Sequence, residues 1–86
     1  MTYQVQFTTA AARQVKKLPR PARDRVLAAI AALADDPRPH GSRKLTGEDK
    51  AWRVRVRDYR VIYDIVDTLL EITVVRTAHR REAYDR

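Results

Sequence analysis

Trp52-Arg53-Val54-Arg55-Val56-Arg57-Asp58-Tyr59-Arg60-Val61-Ile62-Tyr63 is the stretch that decides the fold. Apolar residues alternate with arginines up to Arg57-Asp58, and alternation resumes beyond it. That period belongs to strands with one face in a core and one in water. A short turn at Arg57-Asp58 sets Val56 opposite Tyr59, Arg55 opposite Arg60, Val54 opposite Val61 and Trp52 opposite Tyr63. Opposed residues of an antiparallel pair point to the same side. One side is therefore Trp52, Val54, Val56, Tyr59, Val61 and Tyr63, a core face. The other is Arg53, Arg55, Arg57 and Arg60, with Ile62 and Asp64. A one-residue slip would drive Arg53 and Arg55 into the core without partners, which fixes the register. Like charges opposed across strands repel, so Arg55 against Arg60 implies a missing counter-charge. Every member of the set is arginine, whose planar fork fits phosphate or carboxylate with two hydrogen bonds.

Downstream, Leu69 to about Thr77 is rich in β-branched residues and reads as a third strand after a turn at Asp67-Thr68. Tight pairing through that turn sets Val75 beside Arg60, and parity then points His79 and Arg81 to the arginine face. Upstream, Tyr3, Val5 and Phe7 alternate with Gln4 and Gln6, the pattern of a half-buried strand. Thr8 or Thr9 can cap a first helix carrying Ala11, Val15 and Leu18 on one face, which Pro19 stops. Pro21 suits the first turn of a second helix, predicted to run to Asp35 with Ala22, Val26, Ala29, Ile30 and Leu33 as its apolar stripe. Asp36-Pro37-Arg38-Pro39 ends it. His40 to Lys50 reads as a loop anchored by Leu45. The expected fold is α+β: an N-terminal strand, a two-helix hairpin and a three-stranded antiparallel meander, with the helices on one face of the sheet.

The chain has 86 residues, which is one domain spanning 1–86. Such a chain buries about 60% of its unfolded surface, which argues against a deep private cavity. The absence of cysteine excludes disulfides and thiolate zinc sites. No metal-binding or phosphate-loop motif occurs, and no cofactor is expected. The N-terminus lacks the pattern of a secretory signal and no apolar run approaches a membrane span, so a cytoplasmic location without membrane contact is expected. Eighteen Lys and Arg against eleven Asp and Glu give a net charge of +7. With 44% hydrophobic residues, this is a folded basic domain suited to a polyanion or an acidic protein partner.

The arginine hairpin, together with Leu18-Pro19, Pro37, Lys44-Leu45-Thr46-Gly47 and His79-Arg80-Arg81-Glu82-Ala83-Tyr84, resembles the bacterial RelE/ParE toxin superfamily over essentially the whole chain. The resemblance implies the toxin of a type II toxin–antitoxin system. On the RelE-like branch it implies a ribosome-dependent mRNA endonuclease, in which the RNA's 2′-hydroxyl attacks the adjacent phosphate and translation is inhibited. The implied partners are a cognate RelB-like antitoxin with an acidic segment, the ribosome and mRNA, with operator DNA bound through the antitoxin. The catalytic positions it implies are Arg53, Arg55, Arg60, Arg80 and Tyr84; Arg57, His79, Arg81 and Lys44 are candidate RNA contacts. The alternatives are a ParE-like inhibitor of DNA gyrase, and a catalytically weak homologue that only binds its antitoxin.

One departure bears on the chemistry. The best-known RelE type carries lysines where this chain has Arg53 and Arg55. Arginine stays protonated in proteins. The proton acceptor is therefore open between His79, Tyr84 and catalysis by charge and geometry alone. Arg57 also replaces the glycine usual in the family's hairpin.

Overall fold

The computed structural model describes residues 2–47, 49–79 and 81. Arg80 and Tyr84, two of the expected site residues, lie outside the described residues. Strand β1 (Gln4–Phe7) leads to helices α1 (Thr9–Lys16) and α2 (Arg20–Ala32). Then come β2 (Arg43–Lys44), β3 (Ala51–Val56), β4 (Tyr59–Val66), a 3-10 turn (Asp67–Leu69) and β5 (Glu71–His79). The five strands form one sheet in the order β1-β5-β4-β3-β2, with β1 parallel to β5 and the other pairs antiparallel.

The helical hairpin forms where the sequence places its stops. Thr8 Oγ1 accepts the Ala11 N–H at 3.1 Å and caps α1. Pro19 stands at the N-cap of α2 and Pro21 in its first turn, where a missing N–H costs nothing. The stripe holds: Val26, Ile30 and Leu33 are buried, with Ala22 and Ala29 half-buried beside them. Regular α2 ends at Ala32, three residues before Asp35. Leu33 to Asp36 still donate to the carbonyls of Ile30, Ala31 and Ala32, closing the helix as a tightened turn. Both helices cover one face of the sheet, where Ala11, Val15, Val26, Ile30 and Leu33 meet Val61, Tyr63, Ile65, Ile72 and Val74. Tyr3 and Val5 pack against this core, whereas Phe7, at the end of β1, is exposed.

The β3–β4 register is the expected one, from Ala51 opposite Asp64 to Val56 opposite Tyr59. Arg57 opens the two-residue turn with φ +58°, and Asp58 is not in the left-handed region. This is the II′ pattern, in which glycine is the usual first residue.

Three expectations are corrected. The segment His40–Lys50 is not all loop: Arg43 and Lys44 pair with Arg53 and Trp52 as the edge strand β2. The β4–β5 connection is longer than Asp67-Thr68, because a 3-10 turn and Leu70 at φ +52° intervene. Val66 consequently faces Glu71. A bulge then follows, since Tyr63 faces Val74 while Ile62 faces Arg76, so Val75 has no opposite number. Arg60 therefore lies beside Ala78 and not Val75. The bulge falls where β1 has ended. Phe7 is the last residue paired to β5, at Val74, and further along the Thr77 N–H donates to Gln14 Oε1 of α1 at 2.7 Å. An extra residue in one strand reverses side-chain parity beyond it.

Candidate nucleic-acid interface

Among the described residues, no helix covers the second face of the sheet, and its charged residues follow from the register. Arg53 pairs with Arg43 on one side and Ile62 on the other, and Ile62 pairs with Arg76. One cross-strand row is thus Arg43, Arg53, Ile62 and Arg76. The next is Arg55, Arg60 and Ala78. Five guanidinium groups share one end of this face. The next row holds Asp64, paired with Ala51 and Thr73, and the far end holds Glu71, paired with Val66. Arg55 and Arg43 are exposed, Arg53 and Arg76 half-buried. Arg60, at 7% exposure, is the most enclosed of the five. Opposed Cβ atoms in such rows stand about 4.5–5.5 Å apart, so the five side chains start from closely spaced positions.

The structure therefore brings Arg53, Arg55 and Arg60 together, as expected, and moves other candidates away. Arg57 sits in the hairpin turn and lines a small cavity with Ala22 and Arg25 of α2, on the helix side. Lys44 pairs with Trp52 and so points opposite to Arg43 and Arg53. His79 pairs with Tyr59 and meets its ring edge-on, with centroids 5.4 Å apart and planes at 80°. It lines a helix-side cavity with Gln14, Lys17 and Pro19. The bulge at Val75 put it there by reversing parity. Arg81, exposed just past β5, donates its backbone N–H to His79 Nδ1 at 3.2 Å.

Arg43 and Arg76 were missed. A signal existed for Arg76: uninterrupted pairing would have set it opposite Tyr59, on the apolar face, and a buried arginine there is costly. For Arg43 the signal was weak, because a two-residue strand leaves no alternation to read.

The open face is flanked by a groove of about 640 Å³ between β3 and the segment after α2, lined by His40, Gly41, Ser42, Arg43, Arg53, Val54 and Arg55. That segment is tied down at several points. The Tyr63 hydroxyl donates to the Pro37 carbonyl at 2.7 Å. Arg38 lies over the Trp52 ring, 5.1 Å from its centroid, and grips Asp67 with two hydrogen bonds of 3.2 and 2.8 Å. The Tyr3 hydroxyl donates to the same carboxylate at 2.6 Å. The Arg38 guanidinium and the Tyr3 hydroxyl hold Asp67 below the usual carboxylate range, and Asp67 in turn raises Arg38 and Tyr3. Burial pushes the Tyr63 phenol up to about 12. These contacts fix one wall of the groove to β3, β4 and the β4–β5 turn. Among the described residues no cluster of His, Cys, Asp and Glu could hold a metal, and no helix is long and apolar enough to cross a membrane.

Two helices on one side of an antiparallel-rich sheet, with an arginine-lined opposite face, define a small basic α+β domain. Residues 5–84 match the profile of the family described as ParE toxin of the type II toxin–antitoxin system, parDE, and the chain belongs to the RelE/ParE superfamily, with RelE-like character. It is 35% identical to Toxin RelG of Mycobacterium tuberculosis over the whole of both chains. The archaeal RelE–RelB complex of Pyrococcus horikoshii contains a chain that superposes with a TM-score of 0.82 at 28% identity, covering 93% of this chain and 97% of that one. In the toxin–antitoxin complex RelBE2 of M. tuberculosis the corresponding values are 0.81 and 30%, with 93% of each chain covered.

Proposed function

We propose that this protein is a ribosome-dependent mRNA endonuclease that halts translation and is held inactive by an acidic antitoxin. The observation that carries the reading is the clustering of Arg43, Arg53, Arg55, Arg60 and Arg76 at one end of the sheet face opposite the helices. In-line attack of a 2′-hydroxyl on the neighbouring phosphate needs a bent backbone held in place and charge stabilisation at the phosphate oxygens. Guanidinium groups supply both through paired hydrogen bonds. No water is consumed: the O2′–P bond forms, the P–O5′ bond breaks, and a 2′,3′-cyclic phosphate remains. Arg53 and Arg60 would clamp the phosphate, with Arg55 beside them. Arg80 and Tyr84 complete the set that family resemblance implies. An acidic antitoxin segment would cover the same arginines, in keeping with the RelE–RelB and RelBE2 complexes of the relatives.

Inducing the chain in cells and mapping mRNA ends by primer extension tests this reading. New ends inside translated codons are expected, with gyrase supercoiling unaffected. The second reading is the ParE-like one that the resemblance implies, inhibition of DNA gyrase, and the match to the ParE toxin family keeps it in view. Intact mRNA together with inhibited supercoiling would replace the endonuclease reading with that one.

A further inference from the structure

Cleavage by 2′-hydroxyl attack needs a group that removes the hydroxyl proton. The five arginines of the open face do not supply it, because guanidinium stays protonated. A histidine is suited to the task by its ordinary pKa. The sequence has two, His40 and His79. His79 is on the helix side, against Tyr59, and its Nδ1 already accepts the Arg81 N–H. Of the carboxylates on the arginine face, Asp64 stands one row from Arg53 and Ile62 and Glu71 one row further, and neither lines the groove. His40 lines the groove shared by Arg43, Arg53 and Arg55.

His40 is also held in place. The Ser42 N–H donates to the Pro39 carbonyl at 2.9 Å, closing a four-residue turn. Gly41 has φ +92°, so His40 and Gly41 occupy the two central positions of a type II pattern, the second of which demands glycine. The turn hangs between two fixed points: Arg38, clamped by Asp67 and Trp52, and Arg43, paired into the sheet.

From this juxtaposition we infer that His40 is the general base of the cleavage reaction, an inference that rests on the endonuclease reading above. Its imidazole accepts the O2′ proton as the O2′–P bond forms. The leaving O5′ takes a proton from solvent, and the imidazolium returns its own to solvent, so no other reactant is required. The charged groups that share the groove with it are Arg43 from β2 and Arg53 and Arg55 from β3.

The test uses the full-length protein, purified 70S ribosomes and a labelled mRNA, with single-turnover rates between pH 6 and pH 8.5. Wild-type cleavage should accelerate with pH over this interval. His40→Gln should be slower by about 100-fold or more and lose that dependence, with an unchanged melting temperature because His40 is exposed. His40→Ala should be partly restored by added imidazole. Cleavage by wild type with an unchanged rate and pH profile in His40→Gln overturns the inference alone. No cleavage by wild type overturns the endonuclease reading and this inference with it.

Discussion

The two faces of strands β3 and β4 are built from the same twelve-residue hairpin sequence and do opposite things. The helix-side face, with Val61 and Tyr63 fully buried, gains free energy by leaving water. The opposite face sets two arginines, Arg55 and Arg60, directly across from each other. On the reading proposed above, one side serves folding and the other serves a partner. Substitutions should therefore separate cleanly: the first face governs stability and the second governs activity.

The largest expected effect comes from the core. Ile72 is fully buried between Val5 and Ile65, and Ile72→Ala should cost about 2–5 kcal/mol by urea unfolding. Arg55→Ala in the same assay should stay within about 0.5 kcal/mol of wild type, while activity collapses. A loss above 2 kcal/mol for Arg55→Ala would break the comparison.

Next comes alkaline stability. The Tyr63 phenol is raised by burial to about 12, while an unfolded tyrosine ionises near 10. Below pH 10 both states keep the proton and the full contribution is present. As pH rises toward 12 only the unfolded state ionises, so up to about 2–3 kcal/mol is lost. Tyr63→Phe should lack this decline, seen as a stability difference between the two proteins that shrinks with rising pH.

A smaller change of opposite sign is expected at the turn. Arg57 occupies φ +58°, which costs an L-residue about 1 kcal/mol. Arg57→Gly should relieve part of that and raise the melting temperature by a few degrees, on the scale of about 4–8 °C per kcal/mol for a domain of this size. A lowered melting temperature would show that Arg57 has compensating contacts with α2.

The smallest effect concerns Asp67, whose depressed pKa stabilises the fold above the ordinary carboxylate pKa and is lost as pH falls through the folded value. Asp67→Asn should lower the melting point slightly at pH 7 and match wild type in strong acid. A gap that persists in strong acid would assign the effect to packing and not to charge.

The hairpin was legible because strict alternation and charge allow one register, and that register brought Arg53, Arg55 and Arg60 to one face. Local signals, Pro19 as a stop and Pro21 as a start, made the helical pair equally readable. The β4–β5 pairing was not legible past Tyr63, because the bulge answers to events elsewhere in the fold: β1 runs out at Phe7, and Gln14 takes the Thr77 N–H. From that one residue follow the missed Arg76 and the misplaced His79. Arg43 and His40 were hidden for another reason. Their positions depend on anchors far away in sequence, through Arg38 to Asp67 and Trp52, and through Pro37 to Tyr63.

The most direct measurement compares wild type with Arg53→Ala/Arg55→Ala on a translating 70S complex carrying end-labelled mRNA. Wild type should release a fragment ending in a 2′,3′-cyclic phosphate. The double variant, with an unaltered melting curve, should cleave at least about 100-fold more slowly. Uncut message with wild type, or equal rates for the two proteins, would contradict the account.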